Sequence, residues 1–161
     1  MPPRIHTFVK RSPMPVAAEE LFRWHEASGA FEKLTPPWER VEILERSGGI
    51  RDGARVVLRV GPWPLRLQWE LTHCEYIAGR QFCDVQVHGP FAHYKHFHLM
   101  HPDGPQASIL EDRIEFALPF GALGALLGTS FVLAKFEKLF AYRHRVTREA
   151  LSASAPRNQL G

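Results

Sequence analysis

Cysteine is scarce in this chain, 2 in 161 residues, and the pair shows neither CxxC spacing nor the density of a secreted disulfide scaffold. Cys74 and Cys83 are therefore expected as free thiols in a reducing compartment, on the outer face of a sheet and close across a hairpin. No run of five like charges exists, and Lys plus Arg at 20 against Asp plus Glu at 17 leaves a net charge of only +3, which excludes a nucleic-acid arm. The N-terminal stretch MPPRIHTFVKRSPM lacks the apolar core of a secretory signal, so the expected location is the cytoplasm. Catalytic signatures are missing as well. There is no GxSxG, no HExxH and no GxGxxG after a strand; His25-Glu26 runs on as Ala27-Ser28, without the second histidine of a zincin.

Residues 117–134 form a run of 18 without a charge, close to the length of a membrane span. Pro119, three glycines and the amphipathic pattern that begins at Lys135 favour a buried helix instead. What the sequence does hold is an ordinary globular composition, 45% hydrophobic and 23% charged, with 9 His, 11 Phe, 13 Pro and 4 Trp. A domain of this size buries about 70% of its unfolded surface and needs no staple.

Along the chain, residues 4–11 suit a first strand. Pro15 opens a helix over 16–27 that buries Leu21, Trp24 and His25, and a short helix follows over 30–34. Strands are then expected over 40–46, 54–60, 65–76, 80–88, 92–100 and 108–118, divided by glycine- and proline-rich turns. A long helix over 121–150 comes last, its stripe marked by Val132, Phe136, Leu139, Phe140 and Arg143. Sequential strands with short turns imply an antiparallel meander, which can curl around the last helix and leave a cavity between.

Period-two alternation assigns the side chains. Leu65, Leu67, Trp69, Leu71 and His73 share the inner face of one strand. If Ala78-Gly79 is a two-residue loop, Cys74 lies opposite Cys83, His73 opposite Asp84 and Leu71 opposite Gln86. The next inner face is then Phe82, Asp84, Gln86 and His88, unusually polar. In the last strand Leu110, Asp112, Ile114 and Phe116 point inward. Residues 92–100 offer Tyr94, His96, His98 and Met100 on one face and His93, Lys95, Phe97 and Leu99 on the other. A loop over 101–105 would set Tyr94 opposite Asp112 and His96 opposite Leu110, favouring the first face as inner, and a one-residue slip would reverse it.

TPPWERV, FCDVQVHGPF, HYKHFH, LEDRIEFALPFG and FEKLFAYRHRVT resemble the START-like ligand-binding proteins, the SRPBCC superfamily. More narrowly they resemble the branch found alone or joined to an NAD-dependent epimerase-like protein and sometimes labelled a cell-division inhibitor. The resemblance implies an α+β helix-grip fold: a seven-stranded curved antiparallel sheet around a long C-terminal helix, with two short helices between strands 1 and 2. It implies a single domain over 1–151, followed by a disordered tail over 152–161. The branch brings no settled ligand or reaction.

The expected ligand-binding residues are Trp24, Trp69, His73, Phe82, Asp84 and Gln86, with Tyr94, His96, His98, Asp112, Phe116 and Phe136. Each has an ordinary reading too: the aromatics as core, the histidines and aspartates as a paired buried patch. His96 and His98 share one strand face and could touch a metal, but the third ligand, His73, Asp84 or Asp112, stays open, so no metal and no cofactor are expected. The basic residues Lys135, Lys138, Arg143, Arg145 and Arg148 read as a solvated helix face. Three function classes follow. The first is binding of a small apolar or amphipathic molecule in a pocket of about 300–1,000 Å³. The second is a cyclase- or hydrolase-type enzyme using Asp84, His96 or Asp112. The third is a regulatory domain whose partner is an epimerase-like protein. The expected state is a monomer or weak homodimer, with no nucleic-acid partner and no membrane span.

Overall fold

A computed structural model describes residues 3–154, apart from the side chains of residues 122, 123, 125 and 127. The order is β1 (His6–Met14), α1 (Ala18–Glu26), α2 (Ala30–Leu34), β2 (Val41–Ser47), β3 (Arg55–Val60), β4 (Leu67–Ile77), β5 (Gln81–His88), β6 (His93–Pro102), β7 (Ser108–Ala117) and α3 (Gly121–Ser154). The strands form one antiparallel sheet of order β1-β7-β6-β5-β4-β3-β2. This is the expected helix-grip architecture. β1 closes against β7 at one edge, where an unpaired flank tolerates Pro13 opposite Ile109. The last helix is longer than expected: 34 residues, roughly 51 Å, ending at Ser154. Of the expected tail, residues 155–161 lie outside the described residues.

Three layers run across the concave side of the sheet. One apolar cluster gathers Leu21 and Phe22 of α1 with Phe82, Met100, Leu110 and Leu151. A second gathers Phe8, Leu71, Tyr94, Phe116, Phe136 and Phe140. On β6 the inward order is Tyr94, His96, His98, Met100, and on β7 it is Phe116, Ile114, Asp112, Leu110, so the polar residues lie between the two clusters. On α3 the same sequence reads Phe140, His144, Leu151. Burial of all these side chains shows that the face with Tyr94, His96 and His98 is the inner one.

The β4–β5 register is as expected, with Leu71 opposite Gln86, His73 opposite Asp84 and Cys74 opposite Cys83, but the reason differs. Ile77 pairs with Gln81, not Arg80, so the loop holds three residues. An irregularity between Cys74 and Ile77, where Glu75 adopts φ 53°, takes up the extra residue. At β6–β7 the expected register fails. Tyr94 lies opposite Phe116, His96 opposite Ile114 and His98 opposite Asp112, because β6 continues to Pro102 and the loop comes later. The displacement is even, so every side chain keeps its face.

Three further expectations are corrected. Cys74 and Cys83 form a disulfide, since residues directly opposite on neighbouring strands bring their sulfurs together and a compartment argument says nothing about that geometry. Leu65 and Leu67 are not core: they are 75% and 53% exposed, because the β3–β4 hairpin runs past the last β5 residue that pairs with β4. The uncharged helix start is not wholly buried either. Leu126 is 80% and Phe131 65% exposed, on the flank turned away from the sheet. Among the described residues no helix is long and apolar enough to cross a membrane.

Candidate functional site

Alternation on β4, β5, β6 and β7 brings His73, Asp84, His96, His98 and Asp112 onto one inner surface, and α3 adds His144 from above. They form a continuous hydrogen-bonded chain. Ser12 Oγ meets His144 Nδ1 at 2.8 Å, and His144 Nε2 donates to Asp112 Oδ2 at 2.7 Å. Asp112 Oδ1 accepts from His96 Nε2 at 2.7 Å and from His98 Nδ1 at 3.0 Å. His98 Nε2 then donates to Asp84 Oδ2 at 3.0 Å, and Asp84 Oδ1 lies 3.0 Å from His73 Nε2. A buried polar group left unpaired costs about 1–3 kcal/mol. Pairing of this kind is what makes a polar layer tolerable between two apolar ones.

Electrostatics divides the histidines. Burial opposes protonation of His98, but its hydrogen bonds to Asp112 and Asp84 outweigh it and push the ring up to about 9. His96, only one residue removed along the strand face, is pushed down to about 4 by burial and by the charge on His98. His25 on α1 is likewise pushed down to about 4 by burial; its Nδ1 donates to the Leu21 carbonyl at 2.9 Å. Burial works against ionisation of both aspartates. The His98 hydrogen bond and charge nevertheless hold Asp84 well below the usual carboxylate range, and bonds from His144, His96 and His98 do the same for Asp112.

A cavity of about 90 Å³ opens against this layer, smaller than expected from the sequence. Its apolar wall includes Ala30 and Phe31 of α2, Val56, Leu71 and Phe82, and its polar wall is His25, His73, Asp84 and His98. Phe82 forms the floor, stacked on His98 at 4.1 Å between ring centroids. Arg46 and Arg143 also line it, with Leu34, Ile43, Gly49 and Ile50.

Among the expected residues, His73, Phe82, Asp84 and His98 thus line the cavity, while His96 and Asp112 stand behind them. Tyr94, Phe116 and Phe136 belong to the apolar cluster under α3, and Trp69 packs against it on Tyr94 at 4.9 Å. Trp24 packs against the other cluster. Gln86 leaves the polar layer altogether: its Nε2 donates to the Phe91 carbonyl at 2.8 Å and its Oε1 accepts from the Phe91 amide at 3.3 Å, clamping the β5–β6 turn.

Sequence reasoning missed His144 and Ser12, placed His25 on the buried face of α1 but gave it no part in the site, and gave Arg143 to a solvated face. Arg143 is not on a solvated face, because its Nε donates to the Leu34 carbonyl at 3.1 Å and its guanidinium lies over Phe140. The signal for His144 was present, since it extends the Phe136–Phe140 spacing by one more turn.

No protein-family model and no curated protein sequence matches the chain. Solved structures do. A START superfamily protein from Mycobacterium smegmatis superposes with a TM-score of 0.66 at 14% identity, over 92% of this chain and 98% of that one. The Zhui aromatase/cyclase from Streptomyces sp. R1128 gives 0.70 at 15% identity, over 92% and 94%. A nucleoside-diphosphate sugar epimerase from Corynebacterium glutamicum gives 0.67 at 22% identity, over 90% of this chain but 29% of that one. The chain therefore has the START-like helix-grip fold.

Proposed function

We propose that this chain binds a small apolar or amphipathic molecule in the cavity between the sheet and its helices. The apolar body would pack against Phe31, Leu71 and Phe82, and its polar group would face His73, Asp84 and His98. The observation that carries this reading is the two-sided lining, apolar from the α2 side and charged from the β5–β6 side. Arg143 forms no ion pair among the described residues and adds a donor to the same space. A volume of about 90 Å³ is below the roughly 150 Å³ of an apolar cavity that admits benzene in another protein, so the ligand is at most one small ring, and the cavity walls must yield to accept it. Titration of single-ring aromatic probes, followed by calorimetry, tests it. The wild type takes up at least one probe and Ala30→Phe, which fills the cavity, takes up none; uptake by neither overturns the reading.

A cyclase- or hydrolase-type activity is the second reading, favoured by a protonated His98 poised at the cavity wall beside Asp84. A proton donated there to a bound carbonyl or leaving group would be lost in His98→Gln, with ligand uptake retained. The chain's match to one part of the Corynebacterium epimerase favours a third role, regulation through an epimerase-like partner, in the cytoplasm. Co-purification with such a protein expressed from the same genome tests that role.

A further inference from the structure

Three donor atoms meet at the boundary between the polar layer and the cavity: Asp84 Oδ2, His96 Nδ1 and His98 Nε2, all within 4.8 Å of one another. We propose that Asp84, His96 and His98 form a binding site for one divalent first-row transition-metal ion, oriented by Asp112. This inference is independent of the organic ligand.

The first support is spacing. An ion bound at about 2.0–2.1 Å in a tetrahedron separates its ligands by about 3.3 Å. Asp84 Oδ2 lies 3.0 Å from His98 Nε2 and 3.8 Å from His96 Nδ1, each within about half an ångström of that spacing, and the two nitrogens lie within 4.8 Å of each other. The second is what lies behind the ligands. A carboxylate that accepts from His96 Nε2 and His98 Nδ1 through the same oxygen fixes the remote proton on each ring. That leaves His96 Nδ1 and His98 Nε2 as the nitrogens aimed at Asp84. Asp84 Oδ1 is itself held by His73 Nε2, and Asp112 Oδ2 by His144 Nε2, so every ligand has an outer partner of the kind metal sites use. The third is access. Asp84 and His98 line the cavity, so coordination positions not filled by the protein open onto it, as in three-ligand metal sites with an exchangeable fourth position. Two histidines and one carboxylate are the donor set of zinc hydrolases and non-haem iron sites. The other trio of candidate donors, Cys74, Glu75 and Cys83, is excluded because its sulfurs are bonded to each other.

The alternative is a layer closed by hydrogen bonds alone, with the His98 Nε2 proton occupying the place of the ion. Titration of the chelator-stripped full chain separates the two, using Zn²⁺ by calorimetry and Co²⁺ by visible ligand-field absorption. The wild type takes up one ion. His96→Ala and Asp84→Asn each weaken binding at least 100-fold, and Asp112→Asn weakens it by about 10–100-fold. The Cys74→Ser/Cys83→Ser double variant binds as the wild type does. Circular dichroism accompanies each variant, and the wild-type titration decides the matter even if a variant fails to fold. Absence of wild-type binding at 1:1 with millimolar Zn²⁺ or Co²⁺ overturns the proposal. So does retention of wild-type affinity in folded His96→Ala and Asp84→Asn. Uptake of aromatic probes by a chain that binds no metal would leave the cavity reading standing.

Discussion

His144 Nε2 donates to Asp112 Oδ2 at 2.7 Å, which joins the C-terminal third of the last helix to the middle of the last strand inside the core. The bond makes the helix a member of the polar layer and not only a cover over the sheet. Removing His144 leaves Asp112 Oδ2 without its donor, while Oδ1 keeps His96 and His98; a hydrogen bond to a charged group is worth about 1.5–3 kcal/mol. His144→Ala is expected to lower folding stability by about 1.5–3 kcal/mol, and Ser12→Ala by about 1 kcal/mol because a neutral hydrogen bond is lost. Urea unfolding checks both. Equal effects would show that Asp112 does not depend on the helix.

The polar layer also fixes the pH profile of the metal-free chain. His98 is pushed up to about 9 against an unfolded value of about 6.5, so its contribution is complete below about 6.5 and is lost as pH rises through about 9. His25 and His96 are pushed down to about 4, so the unfolded chain binds their protons first and stability falls as pH drops below about 6.5. The lowered aspartates extend that loss below about 4. A melting temperature that peaks near pH 6.5 is expected, and His98→Gln should flatten the alkaline side. A profile level from pH 5 to 9 would contradict the charge assignments.

Much of this layer was legible in the sequence because alternation is insensitive to even errors. The β6–β7 pairing was misplaced by an even step, yet Tyr94, His96, His98 and Asp112 still faced inward. The Cys74–Cys83 and His73–Asp84 pairs came out correctly because an irregularity near Glu75 cancelled a wrong loop length. Contributions from helices were harder to read. Helix rotation about its own axis, which points His144 and Arg143 inward, depends on tertiary packing. Exposure of Leu126 and Phe131 was hidden because residues 117–134 contain no charge to mark an outer side.

Gly89 is expected to tolerate no side chain. A Cβ there would lie 2.4 Å from Trp69 Cδ1 and 2.5 Å from Gln86 Oε1, and Gln86 is the clamp of the β5–β6 turn. Overpacking of this kind costs about 1–3 kcal/mol. Gly89→Ala should therefore lower thermal stability, while Gly104→Ala, where a Cβ meets nothing within 4 Å, is strained by its φ of +98° alone. A neutral Gly89→Ala would show that Trp69 and Gln86 move aside freely.

The cross-strand disulfide closes a short loop, with Cys74 and Cys83 nine residues apart. A loop of about that length contributes on the order of 2–3 kcal/mol by limiting the unfolded chain. Alkylation without reductant should leave both cysteines unmodified, and reduction should lower the midpoint of unfolding. Two alkylated cysteines in protein prepared in air would contradict the bond.

Native mass spectrometry of the freshly purified chain tests the cavity reading most directly. A second species heavier by the mass of one small organic molecule is expected, released on acidification and absent from Ala30→Phe. A single apo mass for both proteins, unchanged after incubation with single-ring aromatic probes, would contradict it.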